Sequence, residues 1–202
     1  MNWGNPQTIF IFIQSAIILV ILACAIFFAQ QERQRYEKLF EEIAKKRNGK
    51  VIKSSFLFDP KLSLDEFDIQ TEIFTTPGGK NSPPHTHFQS QLRLPRNVRI
   101  TIYRESPLSR IGKIFGVQDI LTHEEAFDRC FIVKGSDTGF VLSLLTPEIR
   151  RHLLDWKFFY PRVTLDQGQF HMKIATRLRE QERFDDFIAT GLVILKKIAE
   201  LG

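Results

Sequence analysis

Two histidines one residue apart follow a proline pair in PPHTHF, residues 83–88. In a strand, side chains alternate between faces. His85 and His87 then share a face with Gln89, Gln91 and Arg93, and Thr86, Phe88, Ser90, Leu92 and Leu94 take the other. A shared face is what a His-x-His metal pair needs. Zinc wants three or four protein ligands, so a third would have to come from a neighbouring strand, where Glu72 or Asp68 is the acid to hand. That set would support metal-dependent hydrolysis. The face is also the polar, water-facing one, and a solvated strand edge accounts for both histidines with no metal and no cofactor. The second reading is preferred.

Other chemistry is thin. Gly78-Gly79 sits among turn residues with no following Lys-Ser or Lys-Thr, so it is not a phosphate loop. No Gly-x-Ser-x-Gly elbow is present. Cys24 falls inside an apolar run and Cys130 inside a predicted core strand, so neither is placed to act as a nucleophile. Two cysteines make no disulfide framework, which fits a reducing compartment. His123, His152 and His171 are scattered, with His152 on a polar helix face beside Arg150 and Arg151 and His171 in mid-strand beside Phe170. Asp185 and Asp186 read as a solvated helix face. The residues point away from an enzyme.

The elements that would position these groups begin with a membrane span. Residues 9–29, IFIFIQSAIILVILACAIFFA, are apolar except for Gln14 and Ser15, and as a helix they reach roughly 31 Å, the thickness of a bilayer core. Trp3 precedes the run at headgroup depth. The tail 1–8 has no Lys or Arg, as a cleaved signal peptide or lipoprotein signal would need, so an uncleaved anchor is expected. Arg33, Arg35 and Lys38 follow the span at once. The positive-inside rule then puts the N-terminus outside the inner membrane and the rest in the cytoplasm. Ala25 and Ala29 form a small-xxx-small pair that permits helix pairing.

The helix should continue over 30–48, where Tyr36, Leu39, Phe40, Ile43 and Ala44 make one apolar stripe and Gly49 supplies the stop. Between Gln30 and Lys53 eight Lys/Arg face four Glu, which is most of the net charge of +5. Arg33, Arg35, Lys45, Lys46, Arg47 and Lys50 are thus candidates for a lipid-facing basic collar, an anionic-lipid-responsive device. The near-neutral remainder argues against nucleic acid as a partner.

Residues 49–202 read as one cytoplasmic α+β domain. Strands are expected at 50–58, 67–74, 85–94 and 97–103, with a turn-rich loop at 77–84. A short link at 106–120 leads to a strand over AFDRCFIVKG. Asp137 should cap a helix at 138–145, and Thr146 a second one with Pro147 at its first position. A hairpin turns at Asp166-Gln167-Gly168. The chain closes with an amphipathic helix, 180–201. The architecture is therefore a transmembrane helix running into a juxtamembrane helix, then a mainly antiparallel sheet packed with short helices and a C-terminal helix.

Phe127, Asp128, Phe131 and Val133, then Asp137, then Leu144-Leu145-Thr146-Pro147-Glu148, form a pattern. It resembles that of uncharacterised bacterial membrane-anchored domains of unknown function. The resemblance covers about residues 114–175 and departs at His123-Glu124, where related chains carry Gly-Asp. It implies a membrane-tethered α+β domain and brings no reaction with it. Helix punctuation and core packing explain the same residues. The expected function is a non-catalytic interaction or scaffold module, its partners the bilayer and either another protein or a second copy.

Overall fold

The computed structural model describes residues 6–53, 59–66, 69–94, 98–104 and 119–202. A single helix, α1, runs from Pro6 to Arg47 without a break. No glycine or further proline interrupts it. Its first part is apolar and exposed, with Phe12, Leu19 and Phe28 each more than half accessible, and it is long and apolar enough to cross a membrane. Its second part changes character: Tyr36, Phe40, Ile43 and Ala44 are buried. The helix ends at Asn48, which takes the left-handed conformation at φ 51°, and the Gly49 N–H donates to the Ala44 carbonyl at 2.8 Å. The stop therefore uses Asn48, not Gly49, as its left-handed residue.

Eight strands follow among the described residues: β1 (Lys50–Ile52), β2 (Lys61–Glu66), β3 (Ile69–Thr76), β4 (His85–Gln91), β5 (Ile100–Arg104), β6 (Phe131–Gly135), β7 (Arg162–Asp166) and β8 (Gln169–Ile174). They form one antiparallel sheet in the order β1-β2-β3-β4-β8-β7-β5-β6. Between β5 and β7 lie helices α2 (Glu125–Asp128), α3 (Thr138–Leu144) and α4 (Pro147–Asp155) and a 3-10 turn, Lys157–Phe159; α5 (Gln181–Leu201) ends the chain. The mixed α+β architecture is the one expected from the sequence.

One face of the sheet is covered. Leu62, Leu64, Ile73, Phe88, Ile102, Val163 and Phe170 point inward to meet Phe184, Phe187, Leu195 and Ile198 of α5. α5 lies so close to β4 that a Cβ on Gly191 would sit 2.7 Å from the Phe88 ring. The second half of α1 joins this layer, Phe40 meeting Phe184 edge-on at 5.4 Å. Lys46 and Arg47 reach Asp185 at 2.7 and 3.4 Å, so that aspartate links α5 to α1 and is not a freely solvated face.

Several expectations shift. The strand read at 50–58 is seen over Lys50–Ile52, and 54–58 lie outside the described residues, as do Trp3, Asp68, Pro95-Arg96 and the link up to 118. β2 was not expected: its inward apolar pair, Leu62 and Leu64, is too short to establish a period. AFDRCFIVKG is half helix, α2 carrying Phe127 into the core before β6 begins at Phe131. Asp128, a pattern residue, has a structural role. It accepts from the Thr122 N–H and hydroxyl at 3.0 and 2.7 Å, fixing the turn before α2, and Arg129 bonds Glu125.

Candidate functional site: the open face of the sheet

The other face of the sheet carries no helix among the described residues, and its side chains line up in cross-strand rows. Register places Lys61 beside Phe74, Phe74 beside His87, His87 beside Lys173, Lys173 beside Arg162 and Arg162 beside Tyr103. The row holds three rings and three cations, with Phe74 beside His87 and Lys173 beside Arg162. The Lys61 ammonium lies 5.2 Å from the Phe74 ring and the Arg162 guanidinium 5.7 Å from that of Tyr103. The next row reads Glu72, Gln89, His171, Thr164 and Thr101.

His87 is the centre of the face. Its ring stacks on Phe74 at 4.7 Å and on His171 at 5.2 Å, nearly parallel to both. Its Nδ1 is 2.9 Å from His171 Nε2 and its Nε2 is 2.9 Å from the Thr76 hydroxyl. His85 lies 5.8 Å away, ring to ring, on the same face. The bond between two imidazoles needs one protonated and one bare nitrogen, so the two rings cannot both be charged. Electrostatics agree. Burial, then the neighbouring imidazoles and Lys173, push His87 down to about 4. His171 is lowered by burial and by Lys173 and Arg162, and His85 by burial and Lys173.

The structure brings together only part of the set read from sequence. His85 and His87 do share a face. Glu72 is engaged by Lys61 Nζ at 2.9 Å and Gln89 Nε2 at 3.0 Å and does not turn to the histidines. The third member of the cluster is His171, which reaches His87 across 84 positions of sequence. Alternation on β8 puts His171 with Gln169 and Lys173 on the polar side, but nothing local indicates that β8 pairs with β4. Both His87 ring nitrogens are already bonded, and among the described residues no group of three His, Cys, Asp or Glu converges as metal ligands do.

The basic collar divides. Arg33 and Arg35 lie within two turns of Ala29. The second group starts at Lys45, about 24 Å past Ala29 along the helix axis, where Lys46 and Arg47 are tied to Asp185 and Arg47 also to Glu66. That end is held against the protein, away from any bilayer around the span. The pattern residues take structural roles. Phe127 and Phe131 stack in the core at 4.8 Å. Asp137 accepts from the Phe140 N–H, Thr146 accepts from the Ile149 N–H, and Pro147 and Glu148 fill the first turn of α4.

A clamp fixes α1 to this sheet. Arg177, just past β8, bonds Asp59 at 2.7 Å and Glu32 of α1 at 3.4 Å, and its guanidinium covers the Tyr36 ring at 4.3 Å. The Tyr36 hydroxyl donates to the Leu178 carbonyl at 2.7 Å. Beside the clamp is a cleft of about 890 Å3, with Leu22, Ala25 and Ile26 of α1 on one wall and Phe74, Thr76 and Pro77 on the other.

No protein-family model matches the chain, and no curated protein matches it. Among solved structures it is similar to the crystal structure of the mycobacterial trehalose monomycolate transport factor A, TtfA. The TM-score is 0.53 at 8% identity, over 81% of this chain and 92% of that one. At that identity the likeness is one of fold.

Proposed function

We propose that the chain is a non-catalytic interaction module, held by α1 at the cytoplasmic face of a bacterial inner membrane and working within a membrane-transport assembly. The observation that carries this reading is the continuity of α1. The helix that is apolar and exposed at Phe28 is the same one whose Tyr36, Phe40 and Ile43 enter the core. A flexible linker would let the domain tumble. A helix shared between span and core fixes the height and heading of the domain on the bilayer, which suits a part that presents one surface to neighbours in the same membrane.

Cations after the span and none before it support a cytoplasmic domain. The pattern from Phe127 to Glu148 supports membership of a family of membrane-anchored bacterial domains. The transport-factor description of the fold neighbour supports the kind of assembly. The rings and cations of the open face are groups that a protein partner, or a second copy, would engage. A metal-dependent hydrolase on His85, His87 and Glu72 is the weaker reading, because the acid and both His87 nitrogens are engaged elsewhere.

Photo-cross-linking in native membranes tests the proposal. A photoreactive residue at Gln89, on the open face, should give a discrete protein adduct, and one at Glu200 on α5 should not. Equal labelling from both sites, or none from Gln89, would reject an interaction role for this face.

A further inference from the structure

The Arg177 clamp sets which end of the sheet faces the bilayer. Glu32 is three residues past Ala29, about 5 Å along the helix, and the segment just after β8 bonds it there. The same segment continues along that edge: the Thr86 hydroxyl donates to the Thr176 carbonyl at 2.8 Å, and the Ala175 N–H donates to the Phe159 carbonyl at 2.7 Å. So the end of β3, the start of β4, the end of β8 and the turn 157–160 form one rim, on the side from which the span leaves. At the same end, Thr76 and Pro77 line one cleft with Ala29 and Glu32 of α1.

What stands on that rim is unlike the rest of the surface. Phe158 is 70% exposed and Tyr160 46% exposed, the latter held in the left-handed region at φ 48°. Arg104 lies 4.9 Å from the Tyr160 ring and 5.8 Å from the Phe158 ring, and Lys157 lies 5.1 Å from the Phe158 ring. Arg104 also donates to the Lys157 carbonyl, which fixes the turn to the end of β5. Lys80 in the β3–β4 loop and Arg162 and Lys173 complete the group. Some cations elsewhere are matched, Arg47 with Glu66 and Asp185, Arg99 with Asp166 and Arg150 with Glu124, while Lys45, Arg93 and Arg151 have no carboxylate partner among the described residues. What sets the rim apart is that its cations Arg104 and Lys157 stand beside exposed rings. Among the described residues no carboxylate pairs with Lys80, Arg104, Lys157, Arg162 or Lys173.

We infer that this rim is a second membrane contact, in which Phe158 and Tyr160 enter the headgroup layer while Lys80, Arg104 and Lys157 take anionic phospholipid headgroups. Exposed rings with amphipathic reach and unmatched cations are what an anionic interface selects. The turn 157–160 leads into β7, which stands two places beyond β4 in the sheet. The domain would then rest on the bilayer at two separated points, the span and the aromatic turn. The inference relies on α1 being the span.

The test uses full-length protein in nanodiscs of phosphatidylcholine, with or without phosphatidylglycerol. An environment-sensitive fluorescent amino acid replaces Phe158, Asp166 or Val20 in turn. Asp166 is at the opposite end of β7, about 14 Å from Arg162. The expected result is loss of acrylamide quenching and a blue shift at 158 when phosphatidylglycerol is present, with 166 quenched throughout and 20 shielded throughout. Lys80→Glu with Lys157→Glu should abolish the gain at 158. A probe at 158 as accessible as that at 166, with 20 shielded, overturns the inference and leaves the anchor standing. A probe at 20 that is itself quenched removes the anchor, and the inference with it.

Discussion

Replacing Phe40 by alanine should unfold the domain far more readily than its place in the same helix as the exposed apolar run suggests. Phe40 is fully buried, edge-on to Phe184 at 5.4 Å and close to Tyr36 at 6.1 Å. Truncating such a ring costs about 3–5 kcal/mol from lost burial and the cavity left behind. Domains of this size are stable by about 5–15 kcal/mol in total, so a large share disappears. The assay is urea denaturation in detergent micelles, followed by Trp156, which is buried and donates its indole N–H to the Thr190 hydroxyl at 3.1 Å. Trp3→Phe removes the other indole signal. With an m value of about 2 kcal/mol/M, the midpoint should fall by about 2 M. Phe28→Ala, an exposed ring of the same helix, should leave the midpoint unchanged. A Phe40→Ala loss below about 1 kcal/mol, the size of an ordinary point mutation, would refute the claim that α1 is part of the domain core.

Three further outcomes follow from the packing and charge. Gly191→Ala drives a Cβ to 2.7 Å from the Phe88 ring and should destabilise by about 1–3 kcal/mol in the same assay. Asp137→Ala removes the acceptor for the Phe140 N–H at 2.9 Å and should cost about 1 kcal/mol, with Asp137→Asn recovering most of it. His87 should stay neutral by NMR until well below pH 6.5, titrating near about 4. The sign is set by its lowered value. The unfolded chain binds the proton first, so stability is complete above pH 6.5 and is lost as pH falls towards 4. The full shift would be worth about 3 kcal/mol, which solvent screening of a half-buried ring reduces to about 1 kcal/mol. His87→Gln should flatten the acid limb of the stability curve, and an unchanged limb would place the proton uptake elsewhere.

The parts legible in the sequence are those coded locally. The long apolar run, the stripe from Tyr36 to Ala44, the caps Asp137 and Thr146 and the apolar face of α5 need only a few adjacent residues to declare themselves. The β7–β8 hairpin is of the same kind, since Gln167 and Gly168 both take positive φ at the turn. What failed was short or non-local. β2 was hidden because it holds only two apolar residues, Leu62 and Leu64, too few to establish a period. α2 is a single turn, below the length at which a helical period can be read. The candidate site suffered most. His85 and His87 share a strand and were found together, but His171 enters through the pairing of β4 with β8. Strand order in a sheet is set by the whole fold, not by residues near either histidine. The rim was unreadable for the same reason: Lys80, Arg104 and Lys157 are far apart in sequence, and only the strand order puts them at one end of the sheet.

The account stands on α1 being one rigid rod from the bilayer into the core, and a distance measures that directly. Spin labels at Val20, in the span, and Lys45, on the exposed side of the second half, are 25 residues apart. In full-length protein in nanodiscs, double electron–electron resonance should give a narrow distribution centred near about 38 Å, the rise of an unbroken helix over that length. A broad distribution, or a centre well short of that value, would mean a hinge at the membrane surface, and the fixed presentation of the open face and the rim would be contradicted.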